Sequence, residues 1–431
     1  MENTIEKIDY RAILVTLNIA DKKSRDYIED IDASIVEFQE LAYAANVEVL
    51  GSIVQNKQAV DVTYFIGKGK VEEIKSYAEN MNANLIIFNH ELSGSQIRNL
   101  ENAIGIDVID RTMLILEIFA NRAVTKDGKL QVELAQLRYR LPRLSGMGEK
   151  LSRMGGGIGA KGPGEKKLET DKRHINTRIL EIEKELAEIV KNREVQRSQR
   201  MKSSLPIVAL VGYTNAGKST LTNEIIKRNE LHDPEKEVFV KDMLFATLDT
   251  SHRKARFSNG NDFLVIDTVG FVSRLPHSLV KAFKSTLEEV LFADLILHIL
   301  DASDKNYDLQ RETTQKVLEE IGCDDKPKII VNNKIDLVSG DFNGFRNNEK
   351  SINISAKNSD DIETLLDIIE EMLIPDVEEK VLLIPYSDGN LVNKIHEKYS
   401  NVVTEYEEDG IKITLKLTQG DIRKFNEYIL I

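Results

Sequence analysis

The apolar run Leu205-Pro206-Ile207-Val208-Ala209-Leu210-Val211 leads straight into Gly212-Tyr213-Thr214-Asn215-Ala216-Gly217-Lys218-Ser219, and a helical stretch from Thr220 to Lys227 follows. A G-x-x-x-x-G-K-[ST] element in the order buried strand, loop, helix admits few folds. Such a loop wraps backbone N–H groups around phosphates, and the next helix aims its positive end at them. Lys218 is expected to reach the outer phosphates and the Ser219 hydroxyl to hold Mg²⁺. Gly212 and Gly217 stand where a side chain would block the backbone's approach to a ligand. This part of the chain is therefore an α/β domain that binds a nucleoside triphosphate.

The base is specified further on. After Pro327-Lys328-Ile329-Ile330-Val331 comes Asn333-Lys334-Ile335-Asp336, an N-K-x-D pattern at a strand end. Guanine presents N1–H and a 2-amino group side by side, and the Asp336 carboxylate can accept from both. Against adenine the carboxylate has no such partners, and a site of this kind discriminates by a factor on the order of 10⁴. Asn333 is expected to bond the base and tie neighbouring loops together, and the Lys334 stem to lie over the ring. Ser355-Ala356-Lys357, after Ile352 to Ile354, offers a backbone N–H for the guanine oxygen.

Two switch segments lie between these motifs. Phe263-Leu264-Val265-Ile266 ends in Asp267-Thr268-Val269-Gly270. Asp267 is placed to hold Mg²⁺, directly or through water, and the Gly270 N–H to meet the γ-phosphate. Upstream, Phe245-Ala246-Thr247-Leu248-Asp249 offers Thr247 as a second Mg²⁺ hydroxyl. Where many GTPases have a glutamine after the glycine, this chain has Phe271, which cannot orient a water. Unaided hydrolysis of GTP to GDP is expected to be slow.

The 431 residues suffice for about three domains. No segment reaches the roughly 18 apolar residues of a membrane span, and the N-terminus is not a signal peptide. Cys323 is the only cysteine, as in a reducing, cytoplasmic setting. The net charge of −13 hides an asymmetry: residues 138–202 hold 17 Lys/Arg against 9 Asp/Glu, a net of +8, which leaves −21 for the rest. A local basic module suggests contact with a polyanion, the alternative being a solvated helical face.

Leu130, Leu134, Leu137 and Leu141 make one helical stripe, and Ile175, Ile179, Ile182, Leu186 and Ile189 a second. Two stripes joined by a turn region predict an antiparallel helical hairpin. Its connector, Pro142 to Gly164, is glycine-rich and carries Arg143, Lys150, Arg153 and Lys161. Such a loop can press N–H groups and cations onto phosphates; a plain flexible linker is the alternative.

Ahead of the hairpin, strands at Ala12–Leu17, Val47–Val54, Leu85–Phe88 and Val108–Ile109 alternate with helices at Ser34–Ala45, Val71–Met81 and Ser95–Ala103. That order predicts an α/β layer with a largely parallel sheet. Gly67-Lys68-Gly69-Lys70 reads as a strand-to-helix turn, a second nucleotide site being the alternative. Residues 381–431 read as a small βαββα unit with a hairpin at Asp409-Gly410.

Ile109-Asp110-Arg111-Thr112, Lys129 to Leu137, Gly155-Gly156-Gly157-Ile158-Gly159 and Gly162-Pro163-Gly164-Glu165 together resemble the HflX GTPases, ribosome-associated members of the Obg-related branch of translation-factor GTPases. The resemblance implies an N-terminal α/β subdomain (1–125), a helical hairpin with a basic tip (126–203), a P-loop GTPase domain (204–375) and a small C-terminal α+β domain (376–431). It implies a monomer that uses GTP and Mg²⁺, binds the large ribosomal subunit, reaches ribosomal RNA with the hairpin loop, and splits stalled or idle ribosomes. Two departures mark the tip: Gly148 stands where the family has tryptophan, and Ala160-Lys161 where it has Thr-Arg. In the switch stretch, Thr250 replaces the usual proline after Asp249. Competing classes are a large-subunit assembly or quality-control factor that splits nothing, and a switch with protein partners only.

Overall fold

The computed structural model describes residues 10–24, 26–144, 163–200, 205–227, 244–245, 251–257, 261–274, 289–340, 342, 350–373, 377–399 and 402–430. These form two compact units. The first holds the described residues up to 198 together with 244–245 and 269–274, and the second holds the others.

The first unit is built on β1 (Arg11–Ile19), α1 (Ile31–Ala44), β2 (Glu48–Lys57), α2 (Lys68–Met81), β3 (Leu85–Phe88), α3 (Gly94–Ile104), β4 (Asp107–Asp110) and α4 (Arg111–Arg122). The sheet is parallel in the order β2-β1-β3-β4. Central β1 is covered on both faces, which is why Ala12 to Leu17 is an unbroken run rather than an alternation. Local signals set the helix ends. Asp30 caps α1, Ser93 and Gln96 form a capping box on α3, and Asn82 and Gly105 close α2 and α3 in the left-handed region. Gly67 is the N-cap of α2, so the Gly-Lys-Gly-Lys stretch opens a helix as expected.

Helix α4 has no counterpart in the sequence reading. Leu114, Ile115, Leu116, Ile118 and Phe119 are all buried, and Ile115, Ile118 and Phe119 follow the i, i+3, i+4 spacing of a helix face.

Helices α5 (Lys126–Arg143) and α6 (Pro163–Arg200) form the hairpin. Leu130, Leu134, Ile179 and Ile182 are buried in its seam, with Leu137, Leu141, Ile175, Leu186 and Ile189 packed against them. Each fully buried Leu or Ile contributes roughly 1.5–3 kcal/mol. Lys126 meets Glu185 while Arg178 meets Glu133, so the helices run antiparallel.

Residues 269–274 belong by sequence to the nucleotide domain but pack in the first unit. Ser273 donates its N–H to Glu37 Oε1 (3.0 Å) and its hydroxyl to Glu37 Oε2, and its carbonyl accepts from Arg111 (3.1 Å). Arg274 donates to the Asn89 carbonyl and side-chain oxygens, both at 2.9 Å. Phe245 meets Phe119 edge to face at 4.6 Å.

The second unit contains β5 (Ile207–Gly212), α7 (Lys218–Lys227), β6 (Ser251–Arg256), β7 (Asp262–Asp267), β8 (Leu295–Asp301), α8 (Tyr307–Ile321), β9 (Lys328–Asn333), β10 (Ser351–Asn353) and α9 (Ser359–Leu373). The sheet order is β10-β9-β8-β5-β7-β6, parallel except for the β6–β7 pair. Parallel strands end together, so the ends of β5, β7 and β9 share the edge where ligands bind in open α/β sheets. The C-terminal part is β11 (Val377–Ile384), α10 (Gly389–Lys398), β12 (Val403–Glu407), β13 (Gly410–Thr418), α11 (Gln419–Lys424) and β14 (Ile429–Leu430). Its antiparallel sheet runs β12-β13-β11-β14. Strand β14 is an addition to the expected βαββα order, since two residues carry no readable periodicity.

Candidate nucleotide-binding site

β5 ends at Gly212, the loop follows, and α7 starts at Lys218. The two flanking glycines are required by the protein itself as well as by any ligand. A Cβ on Gly212 would stand 2.2 Å from the Ile299 carbonyl oxygen, and one on Gly217 (φ +94°) 2.2 Å from Asn333 Nδ2. Asn215 sits in the left-handed region at φ +61°, which asparagine tolerates better than most residues.

Lys218 is almost fully buried. Its ammonium donates to the carbonyls of Gly212 (3.0 Å) and Tyr213 (2.6 Å). Burial pushes its pKa down to about 8, with Asp267 opposing the fall and Lys334 adding to it. Ser219 Oγ donates to Asp267 Oδ2 at 2.8 Å, so a hydroxyl and a carboxylate oxygen already lie side by side. Hard oxygen donors of this kind suit Mg²⁺. Thr268 fastens the end of β7 to β5 by donating its hydroxyl to the Leu210 carbonyl at 2.7 Å.

Asn333 joins three loops. It donates to the Ala216 carbonyl and accepts the Ala356 N–H, both at 2.9 Å, and it is buried. Lys334 (φ +61°) reaches Asp301 Oδ2 at 2.6 Å, which orients its stem. Ile335 and Asp336 lie in a short 3₁₀ turn, with the Asp336 side chain exposed. Because Asn333 takes the Ala356 N–H, the guanine oxygen must look to another amide of Ser355-Ala356-Lys357. The Ser355 N–H goes to Asp361 at 2.7 Å, and the Lys357 N–H makes only a long 3.4 Å bond to Ser355 Oγ.

The structure thus brings together Gly212 to Ser219, Asp267, Thr268, Asn333 to Asp336 and Ser355 to Lys357 at one sheet edge. Phe245, Val269 and Gly270 fall in the first unit. Ala246, Thr247, Leu248 and Asp249 lie outside the described residues, as do Lys150, Arg153 and Lys161. Phe271 is 1% exposed, a packing residue in the position of a water-orienting glutamine. Sequence reasoning missed Asp301 and Asp361, which hold Lys334 and Ser355. An acidic residue closing the wholly buried strand β8 was the available signal for the first.

Arg143 departs from expectation. Its guanidinium donates to the Tyr139 carbonyl (3.0 Å), the Leu92 carbonyl (2.9 Å) and Glu91 (3.2 Å), and lies 3.4 Å over the Tyr139 ring. These bonds turn it inward, so it anchors a helix end rather than facing RNA.

Residues 32–120 match the family described as GTP-binding GTPase N-terminal, and residues 122–200 the GTP-binding GTPase middle region. Residues 207–334 match the 50S ribosome-binding GTPase family. The chain is 47% identical over 399 residues to GTPase HflX of Caldanaerobacter subterraneus, covering 93% of this chain and 91% of the relative. It is 40% identical over 420 residues to GTPase HflX of Escherichia coli, covering 96% and 95%. A GTP-binding protein of Sulfolobus solfataricus solved with GDP is 24% identical with a TM-score of 0.44, over 84% of this chain and 98% of that one. Among the described residues no helix is long and apolar enough to cross a membrane.

Proposed function

The chain belongs to the HflX family of GTPases, and from that membership we propose that it binds the large ribosomal subunit and splits stalled or idle ribosomes, with GTP hydrolysis as the switch. The observation that carries the reading is the closed hairpin seam of α5 and α6, which delivers a basic, glycine-rich loop from a protein that also carries a GTP site. The seam buries Leu130, Leu134, Ile179 and Ile182, with the other five stripe residues packed against them. Lys150, Arg153 and Lys161 are the proposed RNA contacts.

At the nucleotide, Asp336 selects guanine and Lys218 leaves the loop carbonyls for the phosphates. Ser219, Thr247 and Asp267 are the residues to hold Mg²⁺, which when bound neutralises charge building on the phosphoryl oxygens. With Phe271 buried, slow turnover speeds up only when a partner orders the site, and the large subunit is that partner. The four-part division at residues 125, 203 and 375, the cytoplasmic location and the monomeric state belong to the same proposal.

The test is a sucrose gradient of ribosomes incubated with protein and GTP. Free subunits are expected. Intact ribosomes at saturating protein overturn splitting, and co-migration with large subunits alone assigns the assembly or quality-control role instead.

A further inference from the structure

We infer that Tyr139 and Asp110 are positioning residues for large-subunit binding: with Arg143 they clamp the last turn of α5, so that the helix end ahead of the glycine-rich loop is held in one place. The inference rests on the reading that this loop contacts ribosomal RNA.

The clamp lies directly before the loop. Tyr139 and Arg143 are four residues apart on one helix face, and the guanidinium stacks on the ring. The buried Tyr139 hydroxyl donates to Asp110 Oδ2. The same carboxyl accepts the Leu92 N–H at 2.9 Å and, at the start of α4, the Met113 N–H at 3.0 Å. One fully buried side chain therefore joins β4, α4, the segment before α3 and the end of α5. Arg143 adds its bonds to Leu92 and Glu91. Backbone contact completes the clamp: a Cβ on Gly94 would stand 2.8 Å from Arg143 Cα.

Helix backbone alone would hold this turn poorly. Pro142 lies inside α5 and cannot donate to the Arg138 carbonyl, so the ladder is interrupted where the chain is about to leave it. A helix end weakened in this way frays unless its side chains are held. Here they are held by directional bonds to two other elements, which fixes the orientation of the helix end and not merely its depth of burial. A fixed helix end lowers the ordering cost when the loop docks.

The experiment uses the full chain, Tyr139→Phe, a protein with residues 145–162 replaced by a Gly-Ser linker, and the combination. Each is pelleted with large subunits at low salt, beside GTP affinity and thermal unfolding. Tyr139→Phe keeps the ring under Arg143 and removes one hydroxyl. It is expected to weaken subunit binding about tenfold while GTP affinity stays the same, and to add nothing in the loop-replaced background. Glu91→Gln, on the exposed side of the clamp, is expected to weaken binding in the same direction without touching the buried carboxyl. Wild-type binding by both variants overturns the inference. So does an equal loss from Tyr139→Phe with and without the loop, which marks a general structural effect. If loop replacement itself leaves binding unchanged, the RNA reading of the loop has failed, and the clamp falls with it.

Discussion

Raising the pH from about 7 to about 9 is expected to weaken GTP binding roughly tenfold, and the cause is one buried ammonium. Without nucleotide, Lys218 lies among the Gly212 and Tyr213 carbonyls, and burial holds its pKa at about 8. Phosphate oxygens favour the charged form, so the bound-state pKa is higher and binding takes up a proton wherever the free protein has lost one. Affinity then falls by the factor 1 + 10^(pH − pKa), close to 1 at about pH 7 and about 11 at about pH 9, a cost of about 1.4 kcal/mol. Titration with a fluorescent GTP analogue measures the slope. Calorimetry at about pH 8.5 in two buffers of different ionisation enthalpy measures the proton taken up. Lys218→Arg is the control: its guanidinium stays charged, so weaker overall binding is expected with no such slope. Guanine loses its own N1 proton at still higher pH, and that loss affects both proteins alike. Equal slopes for wild type and Lys218→Arg, or no proton uptake, would refute the reasoning.

Asn333→Ala leaves the buried Ala216 carbonyl and Ala356 N–H without their partner; at about 1–3 kcal/mol for each stranded group, a lowered unfolding midpoint and GTP affinity at least tenfold weaker are expected by denaturation and titration. Asp336→Asn should shift preference from guanosine to xanthosine nucleotides, since an amide donor suits a 2-oxo group; competition binding with the two nucleotides reads this directly. His298 is neutral and buried, its pKa pushed down to about 3 by burial and by Arg311 and Lys328. Below about pH 6.5 the unfolded chain binds a proton that the folded chain refuses, so stability falls as pH falls, by about 2 kcal/mol at about pH 5. Urea unfolding at about pH 6.5 and 5 should show a smaller loss for His298→Gln than for wild type.

The parallel layers and the hairpin were legible because each rests on a repeat or a run: β1 as a mostly apolar strand, the seam as two stripes. The loop motif fixed the positions of Lys218 and Ser219 because phosphate chemistry tolerates few alternatives there. Helix α4 carried a readable spacing at Ile115, Ile118 and Phe119 that the sequence reading missed, and β14 was hidden by its length. The inward turn of Arg143 was hidden for another reason: a cation beside glycines suggests RNA, and only the tyrosine four residues earlier hinted at a stacking partner. Asp361 and the Ser273–Arg274 bonds were beyond local reading, because each depends on which distant backbone a fold brings alongside.

The bonds from Glu37 and Asn89 to Ser273 and Arg274 also carry a consequence for synthesis. Glu37 and Ser273 are 236 residues apart, so the first unit cannot close until more than half of the chain has been made. At about 5–20 residues per second, that interval lasts between about 10 and 50 s. Meanwhile the parallel sheet, slow to form because its partners are distant in sequence, lacks the later segment that Glu37 and Asn89 hold. A pause in synthesis anywhere between codons 37 and 273 lengthens the time for which Glu37 and Asn89 are without these later partners.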